Sequence, residues 1–174
     1  ALHNLNRDYL SLHELAEEAC EIEIDTLKKP MGKQDQYLAA FGGFLVMNID
    51  KDGKVEVTRA KASASTLDNL NRNLLMFYTG ENRQSQNILQ NQDNATKKNE
   101  SQVMESLHYI KESGYKILEI VESGDITELG KMFDRHWDYK KKMSSNISNS
   151  NFDDIYNLAK ENGAIGGKIS GAGG

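Results

Sequence analysis

Apolar residues recur at Leu12, Leu15, Ala16, Ala19, Ile22 and Leu27, with Thr26 completing the stripe. That spacing follows one face of a 3.6-residue period and predicts a helix. Ser11-Leu12-His13-Glu14 opens it in the form of a capping box, where hydroxyl and carboxylate satisfy each other's backbone N–H groups. The helix should run to about Lys28, because Pro30 disfavours helical dihedrals in the residue before it. Residues 29–35 then make a loop. Phe41 to Asp50, interrupted by Gly42-Gly43, is apolar; Asp50-Lys51-Asp52-Gly53 reads as a turn, and Lys54 to Arg59 alternates. This pattern predicts a β-hairpin.

Ala60 to Asp68 is small and polar without clear periodicity, so a domain boundary is placed near residue 62, dividing the chain into 1–62 and 63–174. Leu70 to Thr79 reads as a buried strand ending at Gly80. Helices are expected at about 83–97, 101–122, 126–142 and 152–161. Asp125 and Glu128 form a second capping box, Asn151 is a candidate N-cap and Gly163 a candidate glycine closing the last helix. Ala164 to Ile169 reads as a short strand entering a glycine-rich turn. The Asn/Gln-rich stretch 82–99 holds Ile88 and Leu89 and is read as solvated helix and loop. The expected fold class is α+β.

Composition narrows the function classes. The chain has 174 residues and a formal net charge of -5, which argues against a broad binder of nucleic-acid backbone. The single cysteine, Cys20, excludes an internal disulfide framework and suits a reducing compartment. It lies at the edge of the apolar face and reads as a small buried hydrophobe. No apolar run approaches the roughly 20 residues that span a bilayer, and no leader sequence is evident. The four histidines and one cysteine have no zinc-ligand spacing.

Three places could carry chemistry. Glu14, Glu17, Glu18, Glu21 and Asp25 share one side of the first helix and read as a solvated acidic face. Glu23 differs, because the period sets it near the centre of the apolar arc. A carboxylate facing the interior must be paired, hydrogen-bonded or bound to a metal, so an internal ion pair and a metal ligand are both open. Asp35 lies in the tight polar segment Pro30-Met31-Gly32-Lys33-Gln34-Asp35-Gln36-Tyr37. A carboxylate held there could orient a hydroxyl and accept its proton, or cap a helix starting near Gln36. Gly166-Gly167-Lys168-Ile169-Ser170-Gly171-Ala172-Gly173-Gly174 permits close backbone approach and could direct N–H groups at an anion. It is neither a Walker A sequence nor a dinucleotide-binding turn. Lys140-Lys141-Lys142 closes a helix, where cations meet the macrodipole favourably, with a phosphate anchor as the alternative. His136 follows Leu129, Met132 and Phe133 at helical spacing and reads as a packing residue.

Taken in order, Glu-Ala-Cys-Glu-Ile-Glu-Ile-Asp (18–25), Pro-Met-Gly-Lys-Gln-Asp-Gln-Tyr-Leu-Ala-Ala-Phe-Gly-Gly (30–43) and the terminal glycine segment (166–174) resemble the GHMP small-molecule kinases. Phe77-Tyr78-Thr79-Gly80 and His136-Trp137-Asp138-Tyr139-Lys140-Lys141 resemble the branch acting on D-glycero-D-manno-heptose 7-phosphate. The resemblance implies a two-lobe fold, here partial: the second half of an N-terminal lobe, then a C-terminal lobe with a ferredoxin-like core. It implies ATP and Mg2+ as cofactors, a phosphosugar as substrate, a cytoplasmic location and transfer to the anomeric hydroxyl. Asp35 matches the base, Glu23 the magnesium ligand, and Gly171, Ala172 and Gly173 the motif near the phosphates. Lys140 and Lys141 are candidates for the substrate's phosphate. The glycine- and serine-rich phosphate loop of that family is not among these residues. The chain is therefore expected to be a C-terminal fragment, inactive without the N-terminal segment of the same kinase. Another sugar kinase of the family, for fucose or galactose, and a silent sugar-binding module are the alternatives.

Overall fold

The computed structural model describes residues 2–79, 85–98, 100–143 and 147–170. The chain divides into two compact units, Ala1–Ala60 and Lys61–Gly174.

The first unit holds helices α1 (Leu2–Asn6), α2 (Leu12–Cys20) and α3 (Gln34–Phe41), then strands β1 (Leu45–Ile49) and β2 (Val55–Arg59). Both halves of the Ser11/Glu14 capping box form. The strands pair antiparallel with Leu45 opposite Arg59 and Ile49 opposite Val55, as the alternation predicts. Their turn is tied by Asp50, whose Oδ1 accepts the N–H groups of Asp52 and Lys54, both at 2.9 Å. Gly53 supplies the positive φ of 79° that this turn needs. Ala16, Cys20, Tyr37 and Val55 are buried together, with Ile24, Phe41, Met47 and Val57 packed around them.

The helix expected over 11–28 does not stay regular. After Cys20 it widens into a π-helical turn, Glu21–Thr26, in which the Leu27 N–H reaches the Ile22 carbonyl. A wider turn advances fewer degrees per residue, so the apolar stripe changes phase. Ile24 joins the core while Ile22 stays 50% exposed, and Glu23 leaves the centre of the arc. Lys28 ends the turn with a positive φ of 53°, and the Lys29 N–H closes back on the Glu23 carbonyl.

The second unit holds α4 (Ala64–Asn73), α5 (Ser85–Lys97), α6 (Ser101–Ser123), α7 (Ile126–Lys141) and α8 (Ser150–Glu161). Helices α5 to α8 match their expected spans within two residues. The cap of α8 is Asn149 rather than Asn151. At α7 only the Asp125 half of the second capping box forms; the Glu128 carboxylate pairs with Lys131 and Arg135 instead. Gly163 takes a φ of 96° just past the end of α8. One core gathers Leu70, Val121 and Leu129; another gathers Ile88, Trp137, Met143 and Ile147.

Two expected strands are replaced. The span read as Leu70 to Thr79 begins inside α4, where Ser63 accepts the Thr66 N–H as cap and Leu70 packs on Val121 and Leu129. Residues 74–79 then run on without regular structure, with Leu75 73% and Phe77 65% exposed. A strand exists only where a neighbour completes its hydrogen bonds. No described strand pairs with this segment, and Gly80 lies outside the described residues. Ala164 to Ile169 is likewise irregular, because it runs against α7 instead of a strand. Among its described residues the second unit has helices and irregular segments but no strand, so the ferredoxin-like sheet is not seen.

Candidate active site

Two carboxylates, Glu17 on α2 and Glu23 on the π-helical turn after it, are tied to the start of α3. Glu17 receives Lys33 Nζ on both oxygens, at 2.8 and 3.0 Å, and the Tyr37 hydroxyl donates to the same carboxylate. Burial raises the Glu17 pKa, but these donors outweigh it and hold the group below its usual range. Burial first, then Glu17, pushes the Tyr37 hydroxyl well up, so it stays a donor. One turn further on, Glu23 pairs with Lys29 Nζ at 2.6 Å and accepts Gln36 Nε2 at 2.5 Å. Those two donors hold Glu23 below its usual range as well. Glu23 is thus in an ion pair with a basic residue, the first of the two readings open from sequence.

Asp35 stands between these anchors. Helix α3 begins at Gln34, with Lys33 as its cap residue, so Asp35 lies inside the first turn and is not the cap expected near Gln36. An acidic residue there complements the macrodipole. Its neighbours are fixed: Lys33 is held by Glu17, Gln36 is buried and bound to Glu23, and Tyr37 is fully buried. Asp35 itself is exposed. An anchored backbone presenting a solvent-facing carboxylate is what a proton acceptor for an incoming hydroxyl requires.

Glu17, Lys33, Gln36 and Tyr37 were not found by sequence reasoning. Helical period set Glu17 on a solvated acidic face. The structure folds α3 back over part of that face, and Glu17 becomes a half-buried node bound to Lys33 and Tyr37. The rest of the face lines an open hollow of about 570 Å³ with Glu14, Glu18, Glu21, Asp25 and Lys33, which neither Glu23 nor Asp35 joins. Cys20 is buried, and that burial, then Glu17, raises its thiol pKa. It is inert packing, as its position suggested.

In the second unit, Lys141 pairs with Asp138 at 3.4 Å and lies over the rings of Trp137 and Tyr156. Lys140 is half-buried. Burial, then the charge of Lys168, pushes its pKa down to about 8. Gly171, Ala172 and Gly173 lie outside the described residues. Among the described residues no group of three or more His, Cys, Asp or Glu side chains could hold a metal ion, and no helix is long and apolar enough to cross a membrane.

Residues 117–174 match the family model described as GHMP kinases C terminal. The D-glycero-alpha-D-manno-heptose 7-phosphate kinase of Campylobacter jejuni subsp. jejuni serotype O:2 is 32% identical over 164 residues, covering 94% of this chain and 48% of that protein. A crystal structure described as a D-glycero-D-manno-heptose 1-phosphate kinase from Bacteroides thetaiotaomicron matches with a TM-score of 0.68 and 29% identity. That match covers 94% of this chain and 43% of the other. The chain therefore spans about half the length of the relatives it matches.

Proposed function

Because the chain belongs to the GHMP kinases, we propose that it is part of an ATP-dependent sugar kinase acting on D-glycero-D-manno-heptose 7-phosphate. The observation that carries this reading is the 32% identity to a heptose 7-phosphate kinase along nearly the whole chain. The product would be the 1,7-bisphosphate. Asp35 accepts the proton of the anomeric hydroxyl as its oxygen forms a bond to the γ-phosphorus of ATP. The bond from that phosphorus to the bridging oxygen breaks, and ADP leaves with the electron pair. The carboxylate of Asp35 is exposed while Lys33, Gln36 and Tyr37 around it are anchored, which supports this assignment.

Glu23 is the residue of this chain suited to magnesium. Mg2+ commonly takes one or two carboxylates and completes its shell with water and nucleotide phosphates. Glu23 offers one, provided Lys29 gives up Oε1. When bound, the ion would neutralise charge on the transferring phosphate. Gly171, Ala172 and Gly173 are proposed to lie near the phosphates, and Lys140 or Lys141 to meet the phosphate of the sugar.

The test is Asp35→Asn in the full-length protein. The turnover number should fall about 100-fold or more, while the Michaelis constant for the phosphosugar changes little. Turnover within a few-fold of wild type would refute the role of Asp35. A full-length protein equally active on the heptose without its 7-phosphate would point to another sugar kinase of the family.

A further inference from the structure

On α7, Phe133, His136 and Lys140 follow one another at spacings of three and four and share a face. The segment after α8 is laid against this helix. Gly166 approaches so closely that a Cβ there would collide with the Gly130 carbonyl oxygen. Lys160 Nζ clamps the same segment, donating to the Ile165 carbonyl at 2.6 Å and pairing with Asp134 at 3.3 Å. Ile169 packs against the core around Trp137. Fixed on both sides, Lys168 extends its ammonium to 5.9 Å from the centre of the Phe133 ring.

Three nitrogen-bearing groups thus meet on one face. Lys168 keeps more than a third of its surface in water, although burial of its ammonium lowers its pKa. The Nδ1 atom of His136 is buried without a hydrogen-bond partner. The nearby carboxylates of α7 are engaged elsewhere, Asp134 by Tyr156 and Lys160 and Asp138 by Lys141. We propose that Lys168, beside Lys140 and His136, binds a phosphate monoester dianion, making the segment after α8 part of the substrate site. This rests on the kinase reading above. Burial, then repulsion from Lys168, lowers Lys140 toward about 8, and a bound dianion would relieve the repulsion. His136 is held neutral by burial, then by Lys168 and Lys140, and can donate one hydrogen bond without adding charge.

The phosphate could belong to the sugar or to the nucleotide, and the kinetics of full-length Lys168→Ala separate the two. Loss of a charge-assisted hydrogen bond should raise one Michaelis constant about tenfold or more and change turnover much less. A rise for the phosphosugar, absent for the same sugar without its phosphate, assigns the sugar. A rise for ATP assigns the nucleotide. Lys168→Arg should recover most of the loss. Unchanged constants for both substrates would overturn the proposal. A second measurement does not depend on turnover. Titration with inorganic phosphate, followed on the ring signals of His136 by NMR, should give a saturable shift that Lys168→Ala abolishes. No shift in the wild-type protein would also overturn it. A wild type that shows the shift yet consumes no ATP with any phosphosugar would refute the kinase reading and leave the anion site standing.

Discussion

His136 should give the second unit a measurable sensitivity to mild acid. Burial first, then the charges of Lys168 and Lys140, lowers its pKa from 6.5 to about 4. A depressed folded-state pKa means that the folded chain binds fewer protons than the unfolded chain between those two values. The stability from this group is therefore complete above pH 6.5 and is lost as pH falls toward 4. At pH 5 the full shift would cost about 2 kcal/mol, and solvent contact of the half-buried ring reduces this to about 1 kcal/mol. His136→Leu removes both the titration and the unpartnered Nδ1, so its stability should be flatter from pH 7 to 5. Urea unfolding in phosphate-free buffer measures the difference. Trp137, the single tryptophan, is buried in the same helix and reports on this unit by its fluorescence. Parallel stability curves for wild type and His136→Leu over pH 7 to 5 would refute the reasoning.

Three further outcomes are expected. Tyr37→Phe removes a donor from the Glu17 carboxylate, a loss of about 1.5–3 kcal/mol for a bond to a charged group, so amide exchange in α2 and α3 should speed at least about tenfold. Gly166→Ala drives a Cβ into the Gly130 carbonyl and should cost about 1–3 kcal/mol in thermal or urea unfolding, whereas Gly53→Asn, at a turn position with open space, should cost less than about 1 kcal/mol. Phe77→Ser falls on an exposed side chain, so the stability of this chain should change by less than about 0.5 kcal/mol.

Local rules carried far along this chain. The Ser11/Glu14 box, the Asp50–Gly53 turn, the hairpin and the spans of α5 to α8 depend on contacts between residues close in sequence or on simple periodicity. The motifs that resemble the GHMP kinases are equally local, whereas Asp35, read from sequence in a polar loop, lies in the first turn of α3. The misses share a cause. Leu70 to Thr79 has strand composition, but a strand needs a hydrogen-bonding neighbour, and α4 takes its first residues because Leu70 finds a helical partner surface. Glu23 looked interior only while α2 was taken as uniform; the π-helical turn changed the phase.

The residues of this chain determined by themselves the start of α2, the spans of α5 to α8, where the hairpin turns and which carboxylates are candidates for chemistry, because those follow from capping, turn geometry and period. Only the tertiary structure decided which carboxylates are engaged. It bound Glu17 to Lys33 and Tyr37 across 16 and 20 residues, bound Glu23 to Lys29 and Gln36, and left Asp35 facing solvent. It also brought Lys168 to the face of α7 that carries His136 and Lys140. Such pairings depend on how one helix or segment folds back over another, a long-range outcome of packing that no local spacing encodes.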